Sequence, residues 1–212
     1  MGAESAAVVY VHGLWMPGFE GAVLRRRLRT QRGFRTYGYG YHSVQEPMAA
    51  LIAGLRQLIA RIDAPQVHLL GHSLGGLIVM RFLERHSMSQ PGRVVFLGTP
   101  CAGSRVARRF ARWKMGRKML GPMACEELLQ PGYTRWNQPR ELGIIAGTRP
   151  VGLGHLLLKF HGANDGTVAV SETELPGAKG RLCLPVTHSG MLLSARVAQE
   201  AGSFLQHGRF GA

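Results

Sequence analysis

The sequence predicts an α/β fold in three layers, a mostly parallel sheet of about six strands with helices on both faces. Two observations predict it. Six short β-rich runs alternate with helical patterns along the chain, and its tightest glycine cluster falls where a strand gives way to a helix. Such alternation implies βαβ units, whose crossovers lay helices over both sides of a parallel sheet. The 212 residues suit a single domain spanning 1–212, long enough to bury roughly 70% of its unfolded surface. No repeat, low-complexity tract or linker divides it, and 45% apolar with 18% charged residues is ordinary for a globular chain.

"AAVVYVHG" (6–13) reads as a buried strand. No basic residue precedes it, so it does not read as a signal peptide, and "MGAESA" has alanine where the myristoylation pattern wants Ser or Thr. No run approaches the ~18–20 apolar residues of a membrane span. The expected location is cytoplasmic. "FRTYGYGY" (34–41) is a second strand, with glycines marking bends. Residues 47–62 open with Pro47 at the first helical position, and Met48, Leu51, Ile52, Leu55, Leu58, Ile59 and Ile62 recur at three- and four-residue steps. That is an amphipathic helix, stopped near Pro65. "QVHLLGHS" (66–73) is a strand ending at a serine, and 74–86 is the next helix. "RVVFLGTP" (93–100), "ELGIIAGT" (141–148) and "RLCLPVTH" (181–188) complete the strands. Residues 190–207 close the chain as a helix, with Leu193, Val197, Phe204 and Leu205 facing inward.

"Gly71-His72-Ser73-Leu74-Gly75" matches G-x-S-x-G between a strand and a helix, the context in which that pattern marks a strained turn that lifts a nucleophile off the sheet. A glycine-rich turn with an N-capping serine is the plainer alternative. A serine attacks only when a base takes its proton, and the base needs an orienting acid. The chain has two aspartates. Asp63 lies before the serine strand, at its far end, whereas Asp165 in "GANDGTVAV" follows a later strand, on the rim where sites form. Glu172 and Glu174 are the fallback acids. Of the histidines after Asp165, His188 follows a strand on the serine's rim, and His207 sits in a last helical turn that favours a histidine for its dipole. His188 is therefore the candidate base. His72 reads as a structural histidine pointing away from the hydroxyl. His42, His68, His86, His155 and His161 receive no role, and no pair has metal-ligand spacing, so neither metal nor cofactor is expected.

At these residues the chain resembles the α/β-hydrolases, in particular their lipase and esterase members. "VYVHGLW" resembles the family's His-Gly segment, "GHSLGG" its elbow, and "NDGTV" and "THSGML" the segments carrying acid and base. The resemblance implies a serine acyl-enzyme, with Ser73 as nucleophile, His188 as base and Asp165 as its orienting acid. It also implies an oxyanion hole made by the backbone N–H groups of Leu14 and Leu74. The chain lacks the family's first two antiparallel strands, so its sheet should be a trimmed one.

Residues 101–140 are too long for a simple connection, and the resemblance places a short lid there. "SRVARRFARWKMGRKML" puts Arg105, Arg108, Arg109 and Arg112 on one helical face, beside Val106, Phe110 and Trp113. A second basic cluster, "RRRLR", spans 25–29. This pattern fits an interfacial helix on an anionic membrane surface, and equally a core-docked helix with a solvated cationic face. Trp15, Phe110, Trp113, Met115 and Met119 are candidates for an acyl pocket or its lid; buried packing explains the tryptophans and methionines equally well. The net charge of +14 favours anionic partners, but no nucleic-acid module accompanies it, so specific nucleic-acid binding is not expected. Cys101, Cys125 and Cys183 are few, odd in number and far apart; they suggest a reducing compartment and small buried side chains.

The leading expectation is hydrolysis of a small-molecule or lipid ester with an apolar acyl group. An acyltransferase or thioesterase would use the same three residues. A scaffold without catalysis, binding anionic membranes through its arginines, is the reading from another class. The sequence leaves oligomeric state open.

Overall fold

The computed structural model describes residues 6–130, 133–152, 154–157 and 159–211. The first residues, to which the myristoylation reading applies, and the side chain of His155 lie outside that description. Elements follow in the order β1 (Ala7–Val11), α1 (Ala22–Arg32), β2 (Arg35–Tyr39), α2 (Met48–Ala60), β3 (Val67–His72), α3 (Leu74–Arg85) and β4 (Val94–Leu97). Then come α4 (Arg105–Phe110), α5 (Lys114–Leu120), α6 (Pro122–Leu129), β5 (Leu142–Gly147), α7 (Gly154–Leu157), β6 (Gly180–Leu184) and α8 (Ala195–His207). The six strands form one sheet in the order β2-β1-β3-β4-β5-β6, with every neighbouring pair parallel.

The four central strands are buried along their whole length, and the edge strands β2 and β6 are only partly covered. Strands covered on both faces read as continuous apolar runs, which is how β1, β3, β4 and β5 appear in the sequence. Successive side chains divide between two cores. Val9, Leu69, Val94 and Ile144 pack beneath α2, α3 and the 101–140 excursion. Val8, Tyr10, Leu70, Val95 and Ile145 pack against Leu24 and Leu28 of α1 and Val197, Phe204 and Leu205 of α8. All six strands point their carboxyl ends to one rim, where Ser73, Asp165 and His188 follow β3, β5 and β6.

Several expectations are corrected. The "RRRLR" cluster is more than a source of charge: it belongs to α1, a helix the sequence reading missed, whose Leu24 and Leu28 stand one turn apart on the buried face. Arginine dominates its other faces, which lowers mean hydropathy and hides a narrow apolar stripe. Pro47 precedes α2 as its cap. The segment 105–120 is not one helix. α4 stops at Phe110, buried Ala107 and Ala111 hold it to the core, and α5 restarts after an extended Trp113. Gly116 lies so close to the Phe110 carbonyl that a Cβ would sit 2.0 Å from its oxygen. The four arginines therefore do not share one helical face.

The closing helix is likewise broken. A 3-10 turn at Ser189–Leu192 precedes Ser194, whose side chain accepts the Val197 N–H at 3.3 Å and starts α8. Leu193 falls in that break and is 60% exposed rather than inward. Of the cysteines only Cys101 is buried; Cys183 lies on edge strand β6 with its side chain exposed. Among the described residues no helix is long and apolar enough to cross a membrane.

Candidate active site

The turn between β3 and α3 explains the glycine cluster. Ser73 has φ 54° and ψ −125°, a strained conformation for a residue with a Cβ. Its N–H is held by the Leu97 carbonyl of β4 at 2.9 Å. A Cβ on Gly71 would lie 2.5 Å from the Cα of Gly76, and one on Gly75 would lie 2.2 Å from the Val11 carbonyl oxygen. Close backbone packing of strand, turn and helix thus excludes any larger residue at both flanks. Leu74 opens α3, so its N–H has no intrahelical acceptor.

The His12-Gly13 segment runs beside this turn, since a Cβ on Gly13 would approach Ser73 Cβ to 3.0 Å. His12 is fully buried and stacks on Tyr41 with ring centroids 3.9 Å apart. Its Nε2 accepts from the Tyr41 N–H at 3.3 Å, which leaves Nδ1–H to donate to the Gly13 carbonyl at 2.8 Å. The Tyr41 hydroxyl donates to the His12 carbonyl at 2.6 Å. Burial pushes the His12 pKa down, in keeping with a neutral ring. Trp15, just beyond Leu14, has φ 59°; its N–H donates to Ser43 Oγ at 3.0 Å, and its indole Nε1–H to the Met119 carbonyl at 2.8 Å.

On the same rim His188 Nδ1 meets Asp165 Oδ2 at 2.7 Å, with the carboxylate buried. The other carboxylate oxygen accepts the N–H groups of Thr167 and Val168 at 2.9 and 2.7 Å, so the Asn-Asp-Gly turn aims Asp165. Gly98, after β4, has φ +55°, and a Cβ there would lie 3.1 Å from both Asp165 Oδ2 and His188 Nδ1. The sequence reading missed Gly98, whose only signal was a glycine directly after a buried strand. His72 Nε2–H donates to the His188 carbonyl at 3.1 Å, and the two rings lie 4.8 Å apart. His72 is fully buried, and burial beside His188 pushes its pKa down to about 3. It ties the residue before Ser73 to the loop carrying His188. Ser73 Oγ makes no hydrogen bond among the described residues.

Neither fallback acid faces this cluster. Glu172 is buried and accepts the backbone N–H groups of Arg105 and Ala169 at 2.6 and 2.8 Å, anchoring the start of α4. Glu174 pairs with Arg181 at 2.9 Å. Asp63 is exposed before β3, a strand's length from Ser73. Among the described residues no group of three His, Cys, Asp or Glu is placed to hold a metal ion. Trp15, Trp113, Met115 and Met119 are exposed, so buried packing does not account for them. Phe110 lies between them, its ring 5.8 Å from Trp15 and 6.2 Å from Trp113. Trp15 also borders a groove of about 780 Å³ lined by Tyr41, His42, Ser43 and Glu46.

The sequence model of the alpha/beta hydrolase family matches residues 8–148, more than half of the chain. The chain belongs to the α/β hydrolase family. The match takes in His12 and Ser73; Asp165 and His188 lie beyond it. No curated protein matches the sequence. Solved structures share this α/β hydrolase's fold at low identity. A metagenomic carboxyl esterase aligns with a TM-score of 0.65 at 18% identity over 89% of this chain, which spans only 65% of that protein's length. A lipase-esterase related protein from Clostridium acetobutylicum gives 0.62 at 13% identity over 94% of both chains. A meta-cleavage product hydrolase from Pseudomonas fluorescens gives 0.62 at 12% identity, covering 98% of this chain and 93% of that one.

Proposed function

We propose that this α/β hydrolase cleaves carboxylic esters through Ser73, His188 and Asp165. The supporting observation is the buried 2.7 Å contact between His188 Nδ1 and Asp165 Oδ2, on the rim that also carries a strained Ser73. An ionised Asp165 keeps the proton of the neutral imidazole on Nδ1, so the lone pair on Nε2 is free to act as base. In the reaction Nε2 takes the Ser73 proton as Oγ bonds to the ester carbonyl carbon. The negative charge moves to the carbonyl oxygen, and the N–H groups of Leu74 and Leu14 hold it. His188 then returns the proton to the leaving alcohol, which departs and leaves an acyl-serine. Water, deprotonated by the same imidazole, releases the acid and restores Ser73.

His12 positions one of those donors. Its bond to the Gly13 carbonyl orients the 13–14 peptide plane, and in a trans peptide the Leu14 N–H then points away from the His12 ring. Residues 101–140, pinned to the rim by Glu172 and Trp15, serve as the cap over the site within one domain.

A fluorophosphonate probe tests this reading directly. Purified protein should be labelled at Ser73 and should release p-nitrophenol from acyl esters, whereas Ser73→Ala, folded by circular dichroism, should do neither. Labelling at another residue, or equal turnover by the variant, would refute it.

A further inference from the structure

Four large apolar side chains near the rim are exposed on one surface. Trp113 is 55% exposed, Met115 65%, Met119 47% and Trp15 53%. Met115 and Met119 stand one turn apart on α5, and Trp15 joins them through its bond to the Met119 carbonyl. Scattered apolar side chains on a surface need no explanation, but four large ones joined across distant segments do. Their surroundings state the charge of what covers them. Residues 101–125 carry seven Lys and Arg and no Asp or Glu. Round α5 the outward positions run from Arg117 through Lys114 and Lys118 to the two methionines.

Beyond the lysines, on the flank of α5 opposite the methionines, lies a second cationic feature. Arg108, Arg112 and Arg117 line a groove of about 460 Å³ whose other walls include Ala111 and Leu129. None of the three makes an ion pair among the described residues. Guanidinium groups grip phosphate oxygens in pairs, and an apolar floor beneath them accepts hydrocarbon. Lys114 and Lys118, between that groove and the methionines, put cations beside an apolar strip, the complement of a surface that is anionic outside and hydrocarbon within.

We propose that α5 and Trp15 dock this protein on an anionic phospholipid bilayer, with Lys114 and Lys118 facing its headgroups and the Met115–Met119 strip its hydrocarbon. The ester presented to Ser73 is then that of a lipid, a step that rests on the esterase reading above. Trp15 lies next to Leu14, and the segment that carries both passes within contact of Ser73, so the docked strip borders the reaction rim. A nucleic acid would satisfy the arginines and leave the methionines and tryptophans in water.

Vesicle sedimentation decides the docking without any turnover. Ser73→Ala protein should bind vesicles of phosphatidylcholine with phosphatidylglycerol and not phosphatidylcholine alone, and added salt should release it. Lys114→Glu with Lys118→Glu, and separately Trp113→Ser with Met115→Ser, should each weaken binding about tenfold. Equal binding by the parent and both variants overturns the docking, as does absence of binding. So does a dimer, seen by sedimentation velocity, that the Trp113→Ser, Met115→Ser variant abolishes. Preferential binding of duplex DNA that survives those apolar substitutions also overturns it. For the substrate, the lysine variant on an otherwise native chain should cleave a soluble p-nitrophenyl ester at the native rate and lose turnover of a long-chain ester held in anionic vesicles. Unchanged turnover of the embedded ester overturns the lipid assignment. A native protein inactive on both esters refutes the esterase reading and with it the lipid substrate, while the sedimentation result still decides docking.

Discussion

His188 and Asp165 are joined twice: the backbone N–H of His188 donates to the Asp165 carbonyl at 2.9 Å, and its Nδ1 meets Asp165 Oδ2 at 2.7 Å. The first bond sets where the histidine loop lies, and the second sets which ring nitrogen holds the proton. Asp165→Asn should leave the first bond and disturb the second, because an amide nitrogen facing Nδ1 favours the wrong tautomer. We expect kcat for ester hydrolysis to fall by about 10⁴ with unfolding by urea little changed. A loss below tenfold would remove Asp165 from the mechanism.

The elbow glycines separate close packing from backbone freedom. Gly75→Ala forces a Cβ to 2.2 and 2.4 Å from the carbonyl oxygens of Val11, at the end of β1, and His12, held by the Tyr41 hydroxyl. It should cost about 3 kcal/mol or more in urea unfolding. Gly33, with φ +73° after α1, has nothing within 4 Å of that position, so Gly33→Ala should cost only about 1 kcal/mol of backbone strain. Similar costs at the two sites would refute the packing account of the elbow.

On the proposed mechanism His12→Ala should act through the Leu14 N–H, whose peptide plane His12 orients. The Gly13 carbonyl loses its partner, the Leu14 N–H gains freedom, and kcat should fall about 10- to 100-fold with KM within about twofold. A rise in KM at constant kcat would instead make His12 a binding residue.

His68 supplies a pH dependence of stability. It is buried, its Nδ1 accepts the Arg93 N–H at 2.9 Å, and burial with Arg93 and Arg140 nearby lowers its pKa from 6.5 to about 4. The unfolded chain takes up this proton near pH 6.5 and the folded chain only near 4. Its contribution is therefore complete above 6.5 and is lost as pH falls toward 4, at up to about 1.4 kcal/mol per pH unit. Urea midpoints measured across that window should fall less steeply in His68→Gln than in the native protein. Equal slopes would show that His68 charges freely in the fold.

The sequence by itself determined the parallel sheet and the serine elbow, and it pointed to the acid and base proposed to follow it. Those features are written in neighbouring residues: buried strands as apolar runs, α2 as a three- and four-residue periodicity, the elbow as glycines that close backbone approach requires. With two aspartates in the chain, elimination reached Asp165. Tertiary structure decided what depends on distant partners. α1 was hidden because its buried face is narrow, and the break between α4 and α5 arises where Gly116 packs on the Phe110 carbonyl. Tertiary packing also turned Met115, Met119 and Trp113 outward, left Leu193 exposed in the break before α8, and brought Trp15 to α5 and Gly98 against the His188 ring. Periodicity tells which residues share a face. Only the packing of whole elements determines whether that face meets the core or water.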